Sequence, residues 1–182
     1  FLIIRNEYNG DFKNKKKLVL FFMRLFLEKK IKEIFGGKIK VLISGGAALS
    51  PSTGFFFNMV GLKLLQGYGQ TEAAPLISCN YIHNNNPKTV GFPVKNVAVK
   101  ISSENEILVK GRNVMLGYWY NKKLTQQTII DGWLYTGDLG YFDSIGRLII
   151  NGRKKELIVT SGGDNISPQK IEDMLKEYLE IE

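Results

Sequence analysis

The chain has 182 residues, of which 44% are hydrophobic and 23% charged. This is long enough for one full domain, or for one domain and part of another, and the composition excludes a wholly disordered protein. A net charge of +8 accompanies no recognition-helix or RNA-binding signature, so nucleic acid is not predicted as a partner.

Part of the positive charge lies early in the chain, at Lys13, Lys15, Lys16, Lys17, Lys29, Lys30 and Lys32. The simplest interpretation is a solvated helix face, and the second is an anionic partner such as a membrane surface. Residues 12–33 alternate between basic and apolar character, so either peripheral membrane contact or a buried helix face accounts for them. Leu18–Leu27 is apolar but interrupted by Arg24, and it is too short to span a membrane.

Cysteine and histidine usage limits the compartment and the metal chemistry. Cys79 is the only cysteine and His83 the only histidine, which excludes an internal disulfide and a structural zinc site. No signal peptide is recognisable, so we expect a cytoplasmic location, with peripheral contact at the inner membrane face as an addition. The chain starts at Phe1 and stops at Glu182 inside a helix-like run, so we expect a piece of a longer protein.

The first part of the chain predicts an α/β arrangement. A helical pattern covers residues 15–35, Gly36-Gly37 ends it, and 38–43 indicates a buried strand. Ser50 and Pro51 are typical of a helix start, with Ser50 as the cap and the helix ending near Gly61. The next strand is predicted at 62–66, delivering the segment 67–72 as a loop at its carboxyl end, where ligands bind in such folds.

After Pro75 the sequence predicts a strongly twisted β unit packed beside the α/β part. Short alternating strands are expected at 97–101, 106–109 and 148–150, separated by glycines. A charged break at 152–156 precedes a strand at 157–159, the Gly loop 161–163 and an amphipathic helix from Ser167-Pro168. That helix carries Ile171, Met174, Leu175 and Tyr178 on one side.

Two segments carry recognisable chemistry: GYGQTE at 67–72 and Thr-Gly-Asp at 136–138. The two glycines around Tyr68 allow backbone to approach a flat ligand closely. Thr71 offers a hydroxyl for phosphate, Glu72 a hard oxygen for Mg²⁺, and Asp138, expected on a Gly turn, an acceptor for sugar hydroxyls. Together these groups suit an ATP site.

Each motif alone also has a structural interpretation. Gly45-Gly46 could form a tight turn, Tyr68 a core aromatic with a satisfied hydroxyl, and Glu72 a helix cap. Asp138 could hold its own turn, and Arg153 with Lys155 could be surface charges. The order and spacing of the motifs decide between these interpretations.

The joint pattern resembles the adenylate-forming enzymes, most closely the long-chain fatty acid–CoA ligases. The matching segments, in family order, are LISGGAALS at 42–50, GYGQTEAAP at 67–75, VGFPVKNVAVKI at 90–101, EILVKGRNVMLGYW at 106–119, DGWLYTGDLG at 131–140 and GRLIINGRKKELIVTSGGDNISPQKIE at 146–172. They cover most of the chain from residue 38 onward.

The resemblance implies a fold class and domain limits. Residues 1–152 would be the later part of the large adenylation domain, with an α/β part at 1–75 and a β-rich part at 76–152. Residues 153–182 would hold the hinge and the beginning of the small C-terminal domain.

The resemblance also implies roles for individual residues. The adenine contacts would be Gly45, Gly46, Ala47, Gly67, Tyr68 and Gly69. Tyr68 would stack on adenine, Thr71 would contact the α-phosphate and Glu72 would coordinate Mg²⁺. Asp138 would hold the ribose hydroxyls, joined there or at the phosphate by Arg153.

Three further positions complete the implied site. Lys155 falls at the hinge about which the small domain swings, and Gly162 and Gly163 would line the CoA channel. Trp133 would be a packing residue. The implied reaction joins a fatty acid to AMP from ATP and then transfers the acyl group to CoA.

Two family features lie outside the matched segments. These are the Ser/Thr/Gly-rich loop that wraps the β- and γ-phosphates and the lysine near the family's C-terminus that neutralises the forming adenylate. Neither occurs in these 182 residues, so we predict that this polypeptide alone is inactive. The alternatives are a non-catalytic nucleotide-binding module left by gene splitting and a ligase of the same fold that loads carrier protein.

Overall fold

The computed structural model describes residues 25–159, 165–166 and 168–175. Helix α1 occupies 25–34, and Gly36 and Gly37 follow it at positive φ, so the predicted helix and its stop are confirmed over this range. The part of that prediction before residue 25 lies outside the described residues.

The remaining elements form a first region that mixes helices and strands, followed by a longer run that consists mostly of strands. In chain order they are β1 (Val41–Ser44), α2 (Pro51–Met59), β2 (Lys63–Gly69), a 3₁₀ helix (Thr71–Ala73), β3 (Leu76–Cys79), β4 (Phe92–Pro93), β5 (Val97–Ile101), β6 (Glu106–Gly111), α3 (Lys122–Thr128), β7 (Ile129–Ile130), β8 (Trp133–Phe142), β9 (Leu148–Arg153), a 3₁₀ helix (Lys154–Glu156), β10 (Ile158–Val159), β11 (Asn165–Ile166) and α4 (Pro168–Leu175).

The first sheet has the order β1-β2-β3-β4. Strands β1 and β2 are parallel and α2 connects them, which confirms the α/β arrangement. Strand β2 runs on to Gly69, because Gly67, Tyr68 and Gly69 pair with antiparallel β3. The prediction that 67–69 form a loop is therefore wrong. The predicted boundary at residue 75, between the α/β part and the β-rich part, falls between strands β2 and β3 of this one sheet.

The second sheet has the order β5-β6-β8-β7. Strand β9 also pairs with β8, over residues 138–142 of β8. Its inner residues form a hydrophobic core that also includes Tyr68, Ala73 and Ile77 from the first region. The fully buried members from the second sheet are Ile107, Val109, Leu134 and Leu148. One continuous core thus holds both sheets against each other, as predicted for a β unit beside an α/β part.

Strand β8 is the central strand of this sheet, although the sequence predicted a Gly turn at 136–138. Between the pairs Glu106↔Leu139 and Leu108↔Tyr135, β8 carries two more residues than β6. Gly137 has φ +73°, which suits glycine, and the irregularity lies within the strand. The turn prediction was wrong because a bulge uses the same residue types as a turn.

Backbone hydrogen bonds join the two sheets at Gly91. Leu148 N–H donates to the Gly91 carbonyl at 2.7 Å, and Val90 N–H donates to the Leu148 carbonyl at 2.9 Å. Gly91 has φ +77°, and a Cβ there would lie 2.1 Å from backbone atoms of Cys79. Only glycine fits this junction.

Several local predictions differ from the structure. Pro51 does open α2, but the Ser50 side chain makes no capping hydrogen bond and instead lies 2.7 Å from the Ser52 hydroxyl. Helix α3 was not predicted because it is polar and has no apolar period.

The helix predicted from Pro168 is present as α4. Within the described ranges, no helix has the length and apolarity to cross a bilayer.

Candidate functional site

The centre of the candidate site is a hydrogen bond between the two sheets. The Tyr68 hydroxyl on β2 donates to Asp138 Oδ2 on β8 at 2.6 Å. Both residues are buried, with exposed fractions of 8% and 7%. The structure therefore brings together the two residues whose convergence the sequence predicted.

Arg153 completes this cluster from strand β9. The pairing Asp138↔Arg153 sets the two residues side by side, and Arg153 Nε donates to Asp138 Oδ1 at 2.9 Å. The Asp138 side chain is only 10% exposed, whereas the Arg153 side chain is 56% exposed. The ion pair consequently has a buried end at Asp138 and an open end at Arg153.

The electrostatics of the cluster keep Tyr68 neutral. Burial raises the pKa of the Tyr68 phenol far above its usual value, and the adjacent Asp138 carboxylate raises the pKa further. The phenol is therefore a hydrogen-bond donor to Asp138 at physiological pH. Each carboxylate oxygen can accept more than one hydrogen bond, so the carboxylate retains capacity for sugar hydroxyls.

The Tyr68 ring lies in the shared hydrophobic core. This matches the structural interpretation of Tyr68 as a core aromatic with a satisfied hydroxyl. Stacking of this ring on adenine stays a prediction.

The bulge that carries Asp138 is held by side chains of the same sheet. Thr136 Oγ1 donates to the Ile107 carbonyl at 2.7 Å and accepts the Asp138 N–H at 3.1 Å. Gly137 N–H donates to Glu106 Oε1 at 3.0 Å. These bonds fix the backbone on both sides of the carboxylate-bearing residue.

Thr71 and Glu72 lie on the 3₁₀ helix that follows β2. Thr71 is exposed and Glu72 is half-buried. Glu72 Oε1 accepts a hydrogen bond from the Tyr118 hydroxyl at 2.9 Å, and its carbonyl accepts the Met115 N–H at 2.8 Å. Burial, followed by the bond to Glu72, raises the pKa of Tyr118.

The donor set around Glu72 suits a shared magnesium ion. Among the described residues, no group of three or more acidic, histidine or cysteine side chains could enclose a metal. Mg²⁺ commonly uses one or two carboxylates together with substrate phosphates and water. One carboxylate beside an exposed threonine hydroxyl fits that pattern.

Two glycines near the site are needed for packing within the protein, and a third has a backbone conformation that suits glycine. A Cβ at Gly45 would lie 3.3 Å from the Gly67 carbonyl, and one at Gly69 would lie 1.8 Å from the Pro75 carbonyl. Gly46 has φ +87°, and both it and Ala47 are exposed. These residues border β2, and their contacts with adenine stay predictions.

The remaining predicted positions fall outside the cluster. Lys155 is exposed on the 3₁₀ helix Lys154–Glu156, next to Arg153, and its hinge role stays a prediction. Gly162 and Gly163 lie outside the described residues. Trp133 packs under two lysines, with Lys100 Nζ 4.1 Å and Lys110 Nζ 5.8 Å from its ring centre.

Sequence reasoning missed three residues that organise the site. Tyr118 orients Glu72, Glu106 holds the Asp138 bulge, and Asn113 Nδ2 donates to the carbonyls of Ala73 and Leu76. All three lie in the motif at 106–119. Glu106 is an acidic residue on the buried part of strand β6, and Asn113 and Tyr118 lie in the segment that follows that strand.

A family model described as AMP-binding enzyme matches residues 14–119, which is more than half of the chain. The chain belongs to the AMP-binding enzyme family. The long-chain-fatty-acid–CoA ligase FadD15 of Mycobacterium bovis is 39% identical over 150 residues, covering 82% of this chain and 25% of that protein. The 2-succinylbenzoate–CoA ligase of Listeria monocytogenes is 35% identical over 166 residues, covering 85% and 34%.

Solved structures of AMP-binding enzymes share this fold. The o-succinylbenzoate CoA synthetase of Bacillus subtilis, in complex with its acyl-adenylate intermediate, superposes with a TM-score of 0.70 at 29% identity. That match covers 77% of this chain and 31% of the other. The chain thus spans about a quarter to a third of the length of these relatives.

Proposed function

We propose that these residues form part of an ATP-dependent acid–thiol ligase that makes acyl-CoA and AMP. A long-chain fatty acid is the proposed substrate class, supported by 39% identity to a ligase of that name. The observation that carries the proposal is the Tyr68–Asp138–Arg153 cluster, where a buried acidic acceptor meets an accessible guanidinium. That combination suits the ribose and phosphate of a nucleotide.

The proposed chemistry has two balanced steps. A carboxylate oxygen of the acid attacks the α-phosphorus of ATP, and the bond to pyrophosphate breaks. The CoA thiolate then attacks the acyl carbonyl, and AMP leaves. Both steps depend on positioning and on neutralising phosphate charge, so no acid–base pair is required of this chain.

Each residue then has one task. Asp138 accepts hydrogen bonds from the ribose, and Arg153 stays beside it to contact ribose or phosphate. Thr71 donates to the α-phosphate, and Glu72, oriented by Tyr118, holds Mg²⁺. The ion supplies neutralisation of phosphate charge when it is bound.

Nucleotide binding is the direct test. The chain is titrated with a fluorescent AMP analogue and compared with Asp138→Asn, which we expect to bind about tenfold more weakly because a charge-assisted acceptor is lost. Asp131→Asn, an exposed carboxylate in the turn before β8, is the matched control. Equal affinity of the two variants would contradict the assignment of Asp138.

Catalysis by the isolated polypeptide is a second test. Incubation with ATP, Mg²⁺, palmitate and CoA should give no thioester above background, because the phosphate-wrapping loop and the C-terminal lysine are not in this sequence. Clear turnover would refute this expectation. In-frame coding sequence for both features on either side would favour the ligase, and stop codons on both sides would favour a non-catalytic binding module.

A cytoplasmic location with peripheral membrane contact is proposed alongside this function. Fatty acids partition into bilayers, and helix α1 carries exposed apolar side chains, with Phe26 60% and Ile34 80% exposed. Lys29 and Lys30 lie on the same helix and would face anionic headgroups. Sedimentation with vesicles containing anionic lipid, compared with neutral vesicles, measures this contact.

A further inference from the structure

A buried carboxylate beside the candidate site has no part in the proposed chemistry. Glu106 begins strand β6 and is only 5% exposed. Acidic residues are rarely this buried unless their charge is paired, so its partners indicate what it does.

The two oxygens of Glu106 bind two different parts of the chain. Oε1 accepts the Gly137 N–H at 3.0 Å, and Oε2 accepts Lys154 Nζ at 3.2 Å. Gly137 immediately precedes Asp138, and Lys154 immediately follows Arg153. One carboxylate therefore touches both segments that carry the nucleotide-facing ion pair.

The first contact holds Asp138 in place. Gly137 lies in the bulge where β8 has two more residues than β6, so its N–H lacks the regular ladder partner there. Glu106 supplies an acceptor at that point. Without it, the Gly137 N–H would be left unsatisfied and the bulge could relax, which would move the Asp138 carboxylate.

The second contact, to Lys154, holds the segment that follows β9 against the second sheet. Lys154 also binds Glu104, at 2.5 Å, so the ammonium group lies between two carboxylates of the β5–β6 region. Its side chain is 46% exposed, and the pKa of Lys154 is raised by Glu104 and then by Glu106. The 3₁₀ helix that includes Lys155 starts at this anchored residue.

We propose that Glu106 is a positioning residue with two separate contacts, one that sets the nucleotide-binding carboxylate Asp138 and one that anchors the segment at Lys154–Glu156. One oxygen sets the Asp138 bulge, and the other anchors the point where the chain leaves the second sheet. This inference rests on the proposed function, because it assigns Asp138 to the nucleotide and residue 155 to a hinge.

Two substitutions separate the two contacts. Glu106→Gln keeps one oxygen that can accept the Gly137 N–H, but its amide group then faces the Lys154 ammonium and the anchor is lost. Lys154→Met removes the anchor and leaves the Glu106–Gly137 contact. Glu106→Ala removes both contacts, and Glu33→Gln, an exposed carboxylate on α1, serves as the control.

Three readouts are measured on the 182-residue chain: hydrogen exchange of the Gly137 amide, tryptic cleavage after Lys155 and affinity for a fluorescent AMP analogue. In Glu106→Ala, we expect exchange at least about tenfold faster, cleavage faster and AMP binding about tenfold weaker. In Glu106→Gln and Lys154→Met, only cleavage should rise, and exchange and affinity should stay within about threefold. Glu33→Gln should match the wild-type chain in all three.

The proposal is overturned if Glu106→Gln and Lys154→Met change all three readouts in parallel, since general destabilisation does that. It is also overturned if neither accelerates cleavage. Should Glu106→Ala fail to fold, the other two variants still decide. A wild-type chain that binds no AMP would count against the proposed function, while exchange and cleavage would still report the positioning contacts.

Discussion

The two sheets differ in how completely the described residues cover their apolar side chains. In the second sheet, Ile107, Val109, Leu134 and Leu148 are fully buried. In the first region, Ile34 is 80% exposed, Ile43 66% and Phe55 47%. Leu62 and Ile77 of the first region are also fully buried, so the uncovered apolar side chains there belong to helices α1 and α2 and to the edge strand β1.

The residues of the proposed site are divided between these two regions. Asp138, Arg153 and Glu106 lie on the second sheet, whereas Thr71 and Glu72 lie on the 3₁₀ helix that follows β2. Tyr68 joins the two, because its ring is in the shared core and its hydroxyl binds Asp138. Asp138 is therefore held by contacts to Tyr68, Arg153 and Thr136. Within the described residues, the Glu72 side chain by contrast has the single hydrogen bond from Tyr118.

The junction of the two sheets should give the largest effect. Gly91→Ala would place a methyl group 2.1 Å from the Cys79 backbone at a positive φ, so we expect a loss of more than about 4 kcal/mol in the free energy of unfolding. Gly146→Ala, also at positive φ but in open space, should cost about 1–2 kcal/mol. Urea unfolding compares them, and similar losses would show that the junction does not hold the sheets together.

Core truncation tests the contrast between the regions directly. Leu134→Ala should lower the free energy of unfolding by about 3 kcal/mol, because it leaves a cavity in the closed core. Ile43→Ala should change the same quantity by no more than about 0.5 kcal/mol, since its side chain is already exposed. Equal losses would mean that the Ile43 side chain is covered in the folded chain.

Removing the hydroxyl that joins the sheets should have an intermediate effect. Tyr68→Phe leaves Asp138 without one buried hydrogen bond, and we expect a loss of about 2 kcal/mol in the free energy of unfolding. Tyr141→Phe, at a half-exposed ring on the strand that carries Asp138, should be neutral. The idea fails if chemical denaturation gives the two variants the same stability.

Alkaline pH should lower the free energy of unfolding through the same tyrosine. The pKa of Tyr68 is raised in the folded state, so above pH 10 the unfolded phenol ionises while the folded phenol stays protonated. The unfolded state then binds fewer protons, and stability falls by about 1.4 kcal/mol per pH unit through this residue. Wild type should lose more stability than Tyr68→Phe between pH 9.5 and 11, and parallel curves would contradict the assignment.

Sequence reasoning found strand β5, whose apolar residues alternate, and missed strand β8, which glycines interrupt. Strand β5 was predicted with its observed limits, Val97–Ile101, because its side chains alternate between core and solvent. Strand β8 was missed because the segment 136–140 contains two glycines, and a local pattern cannot distinguish a bulge from a turn. Long-range pairing with β6 and β9 decides that case.

The candidate site could be predicted as a set of residues but not as a geometry. Tyr68, Asp138 and Arg153 were identified from their motifs, and the structure brings them into contact. Glu106 and Tyr118 could not be identified in this way, because a lone charged residue on a strand or a lone tyrosine in a loop has many uses. Their partners, Gly137 and Glu72, are distant in sequence and close only in the folded chain.

The irregularity in β8 also limits how this chain could be altered by insertion or deletion. Because β8 carries two additional residues, Leu134, Thr136, Asp138 and Gly140 all remain buried on one face. Removing a single residue from the bulge would turn Asp138 toward the opposite face and bring a neighbour inward. Protein engineers who wish to lengthen or shorten this strand should therefore do so by an even number of residues.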